Sequence, residues 1–368
     1  MSIQQLQIVN FRNISSLNIS CDSKINIIYG LNGSGKTSVL EALFMLGTGK
    51  SFRSHLKSRI IQYEKPSLTL FTRLIHADDQ VKSLGIEKSI AGDTKLRLQS
   101  NDVPSISEFA KLLPLQLLHP HSYELLEGGS KPRRQFIDWG VFHVEHQFHQ
   151  LWSELQRILK QRNAAIKSQL PRNQIQLWDV ELVRLSEAVD CLRQEYCLQL
   201  TPIFLQILAQ ITDIPDVDVT YYSGWSQRLS FAEQLTQRLT ADIQSGYTLV
   251  GPHRADLKLS VAGVPAQDAL SRGQQKLLVF AMRFAQAQLL QQQTSKKAIF
   301  LIDDLPSELD MEHQAKLFLL IQQLSETNQF FLTGVQQQNF DTLVNAKLFH
   351  VKQGEIEADS RKDVLSTV

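Results

Sequence analysis

The stretch GLNGSGKT, residues 30–37, fits the pattern G-x-x-x-x-G-K-[ST] in full. It follows the apolar segment KINIIYG and opens the run KTSVLEALFMLG, a strand-to-helix context in which that pattern holds phosphate. Gly30, Gly33 and Gly35 let backbone N–H groups close on phosphate oxygens, with Leu31, Asn32 and Ser34 completing the loop. Lys36 supplies a point charge to the outer phosphates of a nucleotide such as ATP, and Thr37 is a hydroxyl ligand for Mg²⁺. A second element is AIFLIDD, residues 298–304, an apolar strand that delivers Asp303 and Asp304 to its carboxyl end, where parallel sheets hold ligands. Asp303 would hold the metal through water, and Asp304 is placed to orient or deprotonate an attacking water. Two aspartates after a strand are by themselves more often a turn or a helix cap. A phosphate loop in the same chain reverses that weighting.

A third element complicates the picture. In ALSRGQQKLLVF, residues 269–280, Ser271, Arg272, Gly273 and Gln274 stand at the mouth of an apolar helix, where free N–H groups and the dipole favour an anion. Three readings are open: a plain helix cap, a site for a second nucleotide, or a contact with the γ-phosphate of a nucleotide held by another copy of the chain. No second lysine loop accompanies it. Two basic clusters follow the same logic of weighing. Lys50, Arg53, Lys57 and Arg59, with His55, fall in GKSFRSHLKSR, and Lys131, Arg133 and Arg134 fall in KPRR. Such clusters are ordinarily solvated faces. His143, His146 and His149 recur at three-residue spacing in HVEHQFH, but no fourth metal ligand accompanies them, so they read as a polar helix face.

The elements that must position these residues alternate in type. LQIVNF, SLNIS and KINIIYG read as strands, and residues 59–118 as short strands with turn signals. From about Phe136 to Leu170 the chain reads as one helix, with Phe148, Trp152, Leu155, Leu159 and Ile166 as its apolar stripe. A break follows at Pro171. A second long helix then carries Leu182, Leu185, Val189, Leu192, Tyr196, Leu200, Ile203 and Ile207 at steps of three and four, the seam of two helices packed side by side. About 33 residues would make an arm about 50 Å long. Strand and helix alternate again from YTLVGPHRADLKLSV to QFFLTG. The expected architecture is an α/β head with an inserted helical arm: residues 1–122 the first half of the head, 123–247 the arm, 248–368 the second half.

With 43% apolar and 20% charged residues, the 368-residue chain has the composition of a globular protein. A net charge of +1 means that any nucleic-acid binding comes from local patches. Three cysteines without a C-x-x-C pair, no basic-then-apolar leader and no apolar run near the ~20 residues of a membrane span together imply a reduced, cytoplasmic protein.

The set of parts (lysine loop, S-x-G-Q signature, D-D strand end, S-x-L-D-like loop) is that of an ABC-type ATPase. NFRN, GLNGSGKTSVLEAL, GKSFRS, GGSKPRRQFIDWG, VGPHRADL, LSRGQQK and LIDDLPSELD, spanning residues 10 to 310, resemble the RecF family of bacterial recombination and gap-repair proteins. The resemblance implies two heads that dimerise head to head around two ATP molecules with Mg²⁺, each signature (Ser271, Arg272, Gly273, Gln274) reading the partner's γ-phosphate. It implies that both basic clusters meet the backbone of duplex or gapped DNA, RecR and RecO as partners, and loading of RecA. It also makes Gln116 the counterpart of the metal-sensing glutamine. The chain departs from the wider ABC pattern in two places. Thr333 and Gly334 stand where many members have a switch histidine, and Asp304 replaces the usual glutamate, which implies a slow ATPase acting as a switch. The rival classes are a transporter's energy module, opposed by the long interval between Lys36 and Ser271, and an SMC-type clamp, whose arms are much longer.

Overall fold

The computed structural model describes residues 2–54, 56–75, 80–304 and 309–359. His55 and residues 305–308 of the DDLPSELD stretch lie outside them. The chain begins with β1 (Ser2–Phe11), β2 (Ile14–Ser20) and β3 (Ile25–Tyr29), then α1 (Lys36–Thr48), β4 (Ser67–Ile75), β5 (Val81–Ser89), β6 (Thr94–Leu98) and β7 (Asn101–Asp102). A short α2 (Ser107–Leu112) leads to β8 (Leu115–Leu118). Next come α3 (Glu124–Glu127), α4 (Ser130–Val144), α5 (Phe148–Lys167), α6 (Arg172–Ile175), α7 (Asp179–Ile211), β9 (Val217–Tyr222) and α8 (Phe231–Ser245). After β10 (Asp256–Val261), β11 (Val264–Pro265), α9 (Ala266–Ala269) and α10 (Arg272–Thr294), the chain closes with β12 (Ile299–Ile302), α11 (Met311–Leu324), β13 (Gln329–Gly334), β14 (Ala346–Lys352) and β15 (Glu355–Asp359). Two compact units divide it: Met1–Ser122 with Thr294–Val368, and Tyr123–Gln293.

The first unit holds two six-stranded sheets. One is antiparallel, in the order β2-β1-β4-β5-β6-β7; the other runs β15-β14-β3-β13-β12-β8, parallel except for the edge strand β15. α1 lies between them, in one core with Ile8, Leu70 and Ile86 of the first sheet and Ile28, Leu301 and Phe331 of the second. A helix covered on all sides must be apolar all round, and SVLEALFML is nearly that. The charged exception is Glu41, whose side chain is 0% exposed. Arg12 grips it through two bonds, Nε to Oε2 at 2.8 Å and Nη2 to Oε1 at 2.6 Å, and the Ser51 hydroxyl donates to Oε1. Without these partners a buried carboxylate would cost several kcal/mol. β8 and β12 are parallel neighbours, although the whole second unit separates them in sequence.

The second unit is helical, with a small antiparallel sheet, β11-β10-β9. On α7 the expected stripe is buried at Leu182, Leu185, Val189, Tyr196, Leu200 and Ile207, while Leu192 and Ile203 are only half-buried and Phe204 takes up the seam. The helix expected over 136–170 is broken: Glu145 is extended, and α4 ends there before α5 begins. The three histidines therefore share no helix. His143 packs between the rings of Trp139 and Phe142 rather than on a polar face, and Trp152 is partly exposed rather than in the stripe. Residues 248–293, read from sequence with the head, cluster with the helices, because β10 pairs along β9 and Gln286 Nε2 of α10 donates to the Phe136 carbonyl at 2.7 Å.

A charged group also sits in the core of this unit. Arg162, fully buried, donates to Asp179 at 2.7 Å, to Asp242 at 2.8 Å and to the Thr248 hydroxyl at 2.7 Å. Burial pushes the Asp179 carboxyl above its usual range, against the pull of Arg162. Removing one member leaves the rest uncompensated. Asp242→Ala is expected to lower stability by about 3–5 kcal/mol, read as a lower urea midpoint with the denaturant slope unchanged; an unchanged midpoint would refute the assignment.

Candidate functional site: a phosphate loop and its carboxylates

The loop 30–37 is held from three sides before any ligand arrives. The Ser34 carbonyl accepts the Gly354 N–H at 2.8 Å and Asn13 Nδ2 at 3.1 Å, and the Ser38 hydroxyl donates to Asn13 Oδ1 at 3.0 Å. The Gly30 N–H reaches the Gly334 carbonyl at 3.3 Å. These contacts explain the glycines at two positions. A Cβ on Gly30 (φ 153°) would stand 2.3 Å from the Val351 carbonyl oxygen, and one on Gly35 (φ 120°) 3.0 Å from Asn13 Nδ2. The turn between β14 and β15 and the turn between β1 and β2 are thus walls of the loop. Asn13 lies within the quoted NFRN stretch, but its buttressing role carries no spacing signal, and the β14–β15 turn none at all.

Lys36 folds back on the loop, its Nζ donating to the carbonyls of Gly30 at 2.7 Å and Leu31 at 3.0 Å. Partial burial lowers its pKa, and Asp304 and Asp303 act the other way. The Thr37 hydroxyl donates to Asp303 at 3.0 Å, which leaves its lone pairs available to a cation. Thr333 at the end of β13 donates to the same carboxylate oxygen at 2.7 Å. β12 ends with the Asp303 N–H on the Leu118 carbonyl, and Asp304 follows in a left-handed conformation, φ 55°. The Ser34 hydroxyl is buried with no hydrogen-bond partner among the described residues. An orphaned hydroxyl, helix-start N–H groups, a lysine and a hydroxyl–carboxylate pair together fit a nucleoside triphosphate with Mg²⁺. Lys36, Thr37, Asp303 and Asp304 are brought together as the sequence implied.

Gln116 stands three residues short of the level of Asp303 on the neighbouring strand. It is fully buried within β8 opposite Phe300; the register brings His119, not Gln116, level with Asp303. His119 stacks on Phe52 with ring centroids 5.8 Å apart. In the second unit, Ser271 and Gln274 cap α10 reciprocally: the Ser271 N–H donates to Gln274 Oε1 at 3.0 Å, and the Gln274 N–H to Ser271 Oγ at 3.3 Å. Both Ser271 and Arg272 are exposed, and Arg272 lies over the Tyr123 ring. Of the basic residues, Lys50, Arg53, Arg59 and Lys131 are exposed, although Arg53 also comes within 3.8 Å of Glu41. Arg133 is occupied internally, bidentate to Asp256 at 2.7 and 2.9 Å, and Arg134 donates to the Ala255 carbonyl at 2.8 Å.

A lysine loop and an aspartate-ended strand on one parallel sheet, an antiparallel sheet across α1, and a helical insertion define the head of an ABC-type ATPase of the SMC kind. Residues 2–357 match the family described as RecF/RecN/SMC N terminal domain. An Smc head bound to the C-winged helix domain of ScpA shares the fold at TM-score 0.62 and 15% identity, covering 98% of this chain and 97% of that one. A recombination mediator protein RecF with ATP, from the RecFOR pathway, shares it at TM-score 0.86 and 22% identity, covering 98% of each. DNA replication and repair protein RecF of Shewanella woodyi is 46% identical over 358 residues, 96% of this chain and 97% of the relative. That of Shewanella pealeana is 44% identical over 360 residues, 97% and 99%. The chain belongs to the RecF family.

Asn13→Ala removes one bond to the Ser34 carbonyl and one from Ser38. The fold should survive, and ATP affinity, titrated with a fluorescent analogue, should fall about fivefold, the worth of roughly one hydrogen bond. Unaltered affinity would show that the loop keeps its shape without this wall.

Proposed function

We propose that this protein is an ATP-dependent DNA-binding switch of recombinational gap repair. ATP closes a head-to-head dimer on DNA at junctions of single and double strand, and slow hydrolysis releases it. The observation that carries this reading is Gly273. It occupies the first turn of α10 with open space where a Cβ would stand, and glycine in a helix costs about 1 kcal/mol relative to alanine. Nothing among the described residues calls for a glycine there, which fits a group that approaches from outside. Ser271 beside it accepts the Gln274 N–H and keeps its own proton for an acceptor such as a phosphate oxygen. Cap and partner site are therefore compatible.

Bound Mg²⁺-ATP supplies the bridging charge and the transferable γ-phosphoryl group. With that group bound, Lys36 would exchange the loop carbonyls for the outer phosphates, Thr37 and Asp303 would hold the cation, and Asp304 would orient the water. As the shorter carboxylate in a left-handed conformation, Asp304 reaches less far than a glutamate would, which suits a switch better than a rapid enzyme. Lys50, Arg53, Lys57, Arg59 and Lys131 meet DNA phosphates; the internal partners of Arg133 and Arg134 give those two a structural role instead. The RecFOR pathway named for a solved relative supports RecO and RecR as partners; loading of RecA would be the outcome of that reading. The names of the relatives disfavour a transporter module, and no helix among the described residues is long and apolar enough to cross a membrane.

Ser271→Arg should bind ATP as a monomer but fail to dimerise in sedimentation. Mixed with Lys36→Ala protein, it should recover part of the ATPase activity, since one composite site in the mixed pair stays intact. Full activity of Ser271→Arg alone would refute a shared site. Neutralising Lys50 and Arg59 should weaken duplex binding for all sequences alike and flatten the salt dependence by about one unit of slope per lost phosphate contact. An unchanged slope would make the cluster a solvated face.

A further inference from the structure

The last two residues of β13 touch both halves of the nucleotide site. Thr333 pairs with Ile28 of β3, the strand that feeds the phosphate loop, and follows Leu332, which pairs with Ile302 of β12, the strand that feeds the carboxylates. Gly334 accepts the Gly30 N–H. Thr333 itself is fully buried, and its one hydroxyl is used in both directions. It donates to Asp303 Oδ1 at 2.7 Å and accepts the Asp304 N–H at 2.9 Å. The same Asp303 oxygen takes the Thr37 hydroxyl at 3.0 Å. Asp304 meanwhile holds φ 55°, a left-handed conformation that aspartate tolerates better than most residues, and the bond from its N–H to Thr333 helps keep the backbone there.

We propose that Thr333 is a positioning residue that couples the metal-holding carboxylate to the water-orienting one. Asp303 and Asp304 are sequence neighbours, yet their roles differ: one binds a cation with its side chain, the other must aim a side chain from a backbone turned the opposite way. The Thr333 hydroxyl ties the first side chain to the second backbone through a single oxygen. Any shift of Asp303 toward a cation is passed through that oxygen to the Asp304 N–H, and so to the direction of its carboxylate. Valine has the same shape and neither bond; serine keeps both bonds and loses only the methyl. The inference rests on the ATPase reading of this site and goes beyond it by making cation binding and turnover depend on one hydroxyl.

The test compares Thr333→Val and Thr333→Ser with the parent protein. ATP binding in EDTA, followed with a fluorescent analogue, should be alike in all three, because the loop and Lys36 are untouched. For Thr333→Val the Mg²⁺ concentration that half-saturates ATP-dependent dimerisation should rise, and kcat should fall with KM unchanged, each by about tenfold, as expected for losing a hydrogen bond to a charged group. Thr333→Ser should restore both. If Thr333→Val does not fold by circular dichroism, Thr333→Ala makes the same comparison with less steric demand. Parental Mg²⁺ dependence and kcat in a folded valine or alanine variant would overturn the coupling, as would a serine variant no better than valine, which would assign the effect to packing. A parent protein that binds no ATP in the presence of Mg²⁺ would overturn the ATPase reading and this inference together, a result distinguishable from failure of the variants alone.

Discussion

The burial of α1 on every face is the constraint on which the first unit depends. A helix wrapped by two sheets has no free direction in which to slide, so its N-terminus is fixed at the carboxyl edge of β3, β13 and β12. Phosphate-binding N–H groups, Lys36 and Thr37 are set there by the packing of Val39, Leu40, Leu43 and Leu46 further along the same helix. Glu41 is the polar intruder, and its grip by Arg12 and Ser51 ties the β1–β2 turn and the segment after α1 to the helix. Arg12 is followed directly by Asn13, a wall of the phosphate loop. One ion pair in the core therefore anchors the turn that shapes the site.

Charge is handled differently at the site and in the cores. At the site, Asp303 and Asp304 stand half-buried at a strand end, and the Asp303 carboxylate accepts the hydroxyls of Thr37 and Thr333, a setting open to exchange with ligand. In the core of the second unit, as with Arg12 and Glu41 in the first, Arg162, Arg193 and Arg133 are each locked to carboxylates within the unit. Buried pairs of that kind contribute little net stability over apolar packing, but breaking one is costly, so they favour a single arrangement. Arg133 shows how this changes a functional reading. In the sequence it is part of a basic run; in the structure its guanidinium is bidentate to Asp256 and adds little to an external field.

Local order carried much of the information. The glycines, lysine and threonine of residues 30–37, the apolar strand ending in Asp303, and the serine–glycine pair at the mouth of α10 were legible from the sequence because each is a short contiguous pattern. Each is set by the geometry of one turn or one helix end. The apolar stripe of α7 was legible for the same reason: its period lies within the helix itself. Where a local pattern ran on too far, it misled. The apolar spacing across 136–170 gives no hint of the break at Glu145, so three histidines on separate segments read as one face.

What depends on contacts between distant segments was decided by tertiary structure alone. Gln116 was the residue the sequence offered here, and only the register of β8 on β12 shows that the next strand-end residue, His119, is the one level with Asp303. Asn13, Thr333 and Gly354 reach the site across intervals that no spacing rule spans. Residues 248–293 pack with the helices because β10 finds its partner in β9, a pairing that apolar alternation permits with several strands. Short stretches of sequence carry the residue types that equip the chain for its chemistry, since those types lie a few positions apart. The structure decided which groups hold those residues in place, because hydrogen-bond partners and sheet register are properties of the folded chain rather than of any short stretch of it.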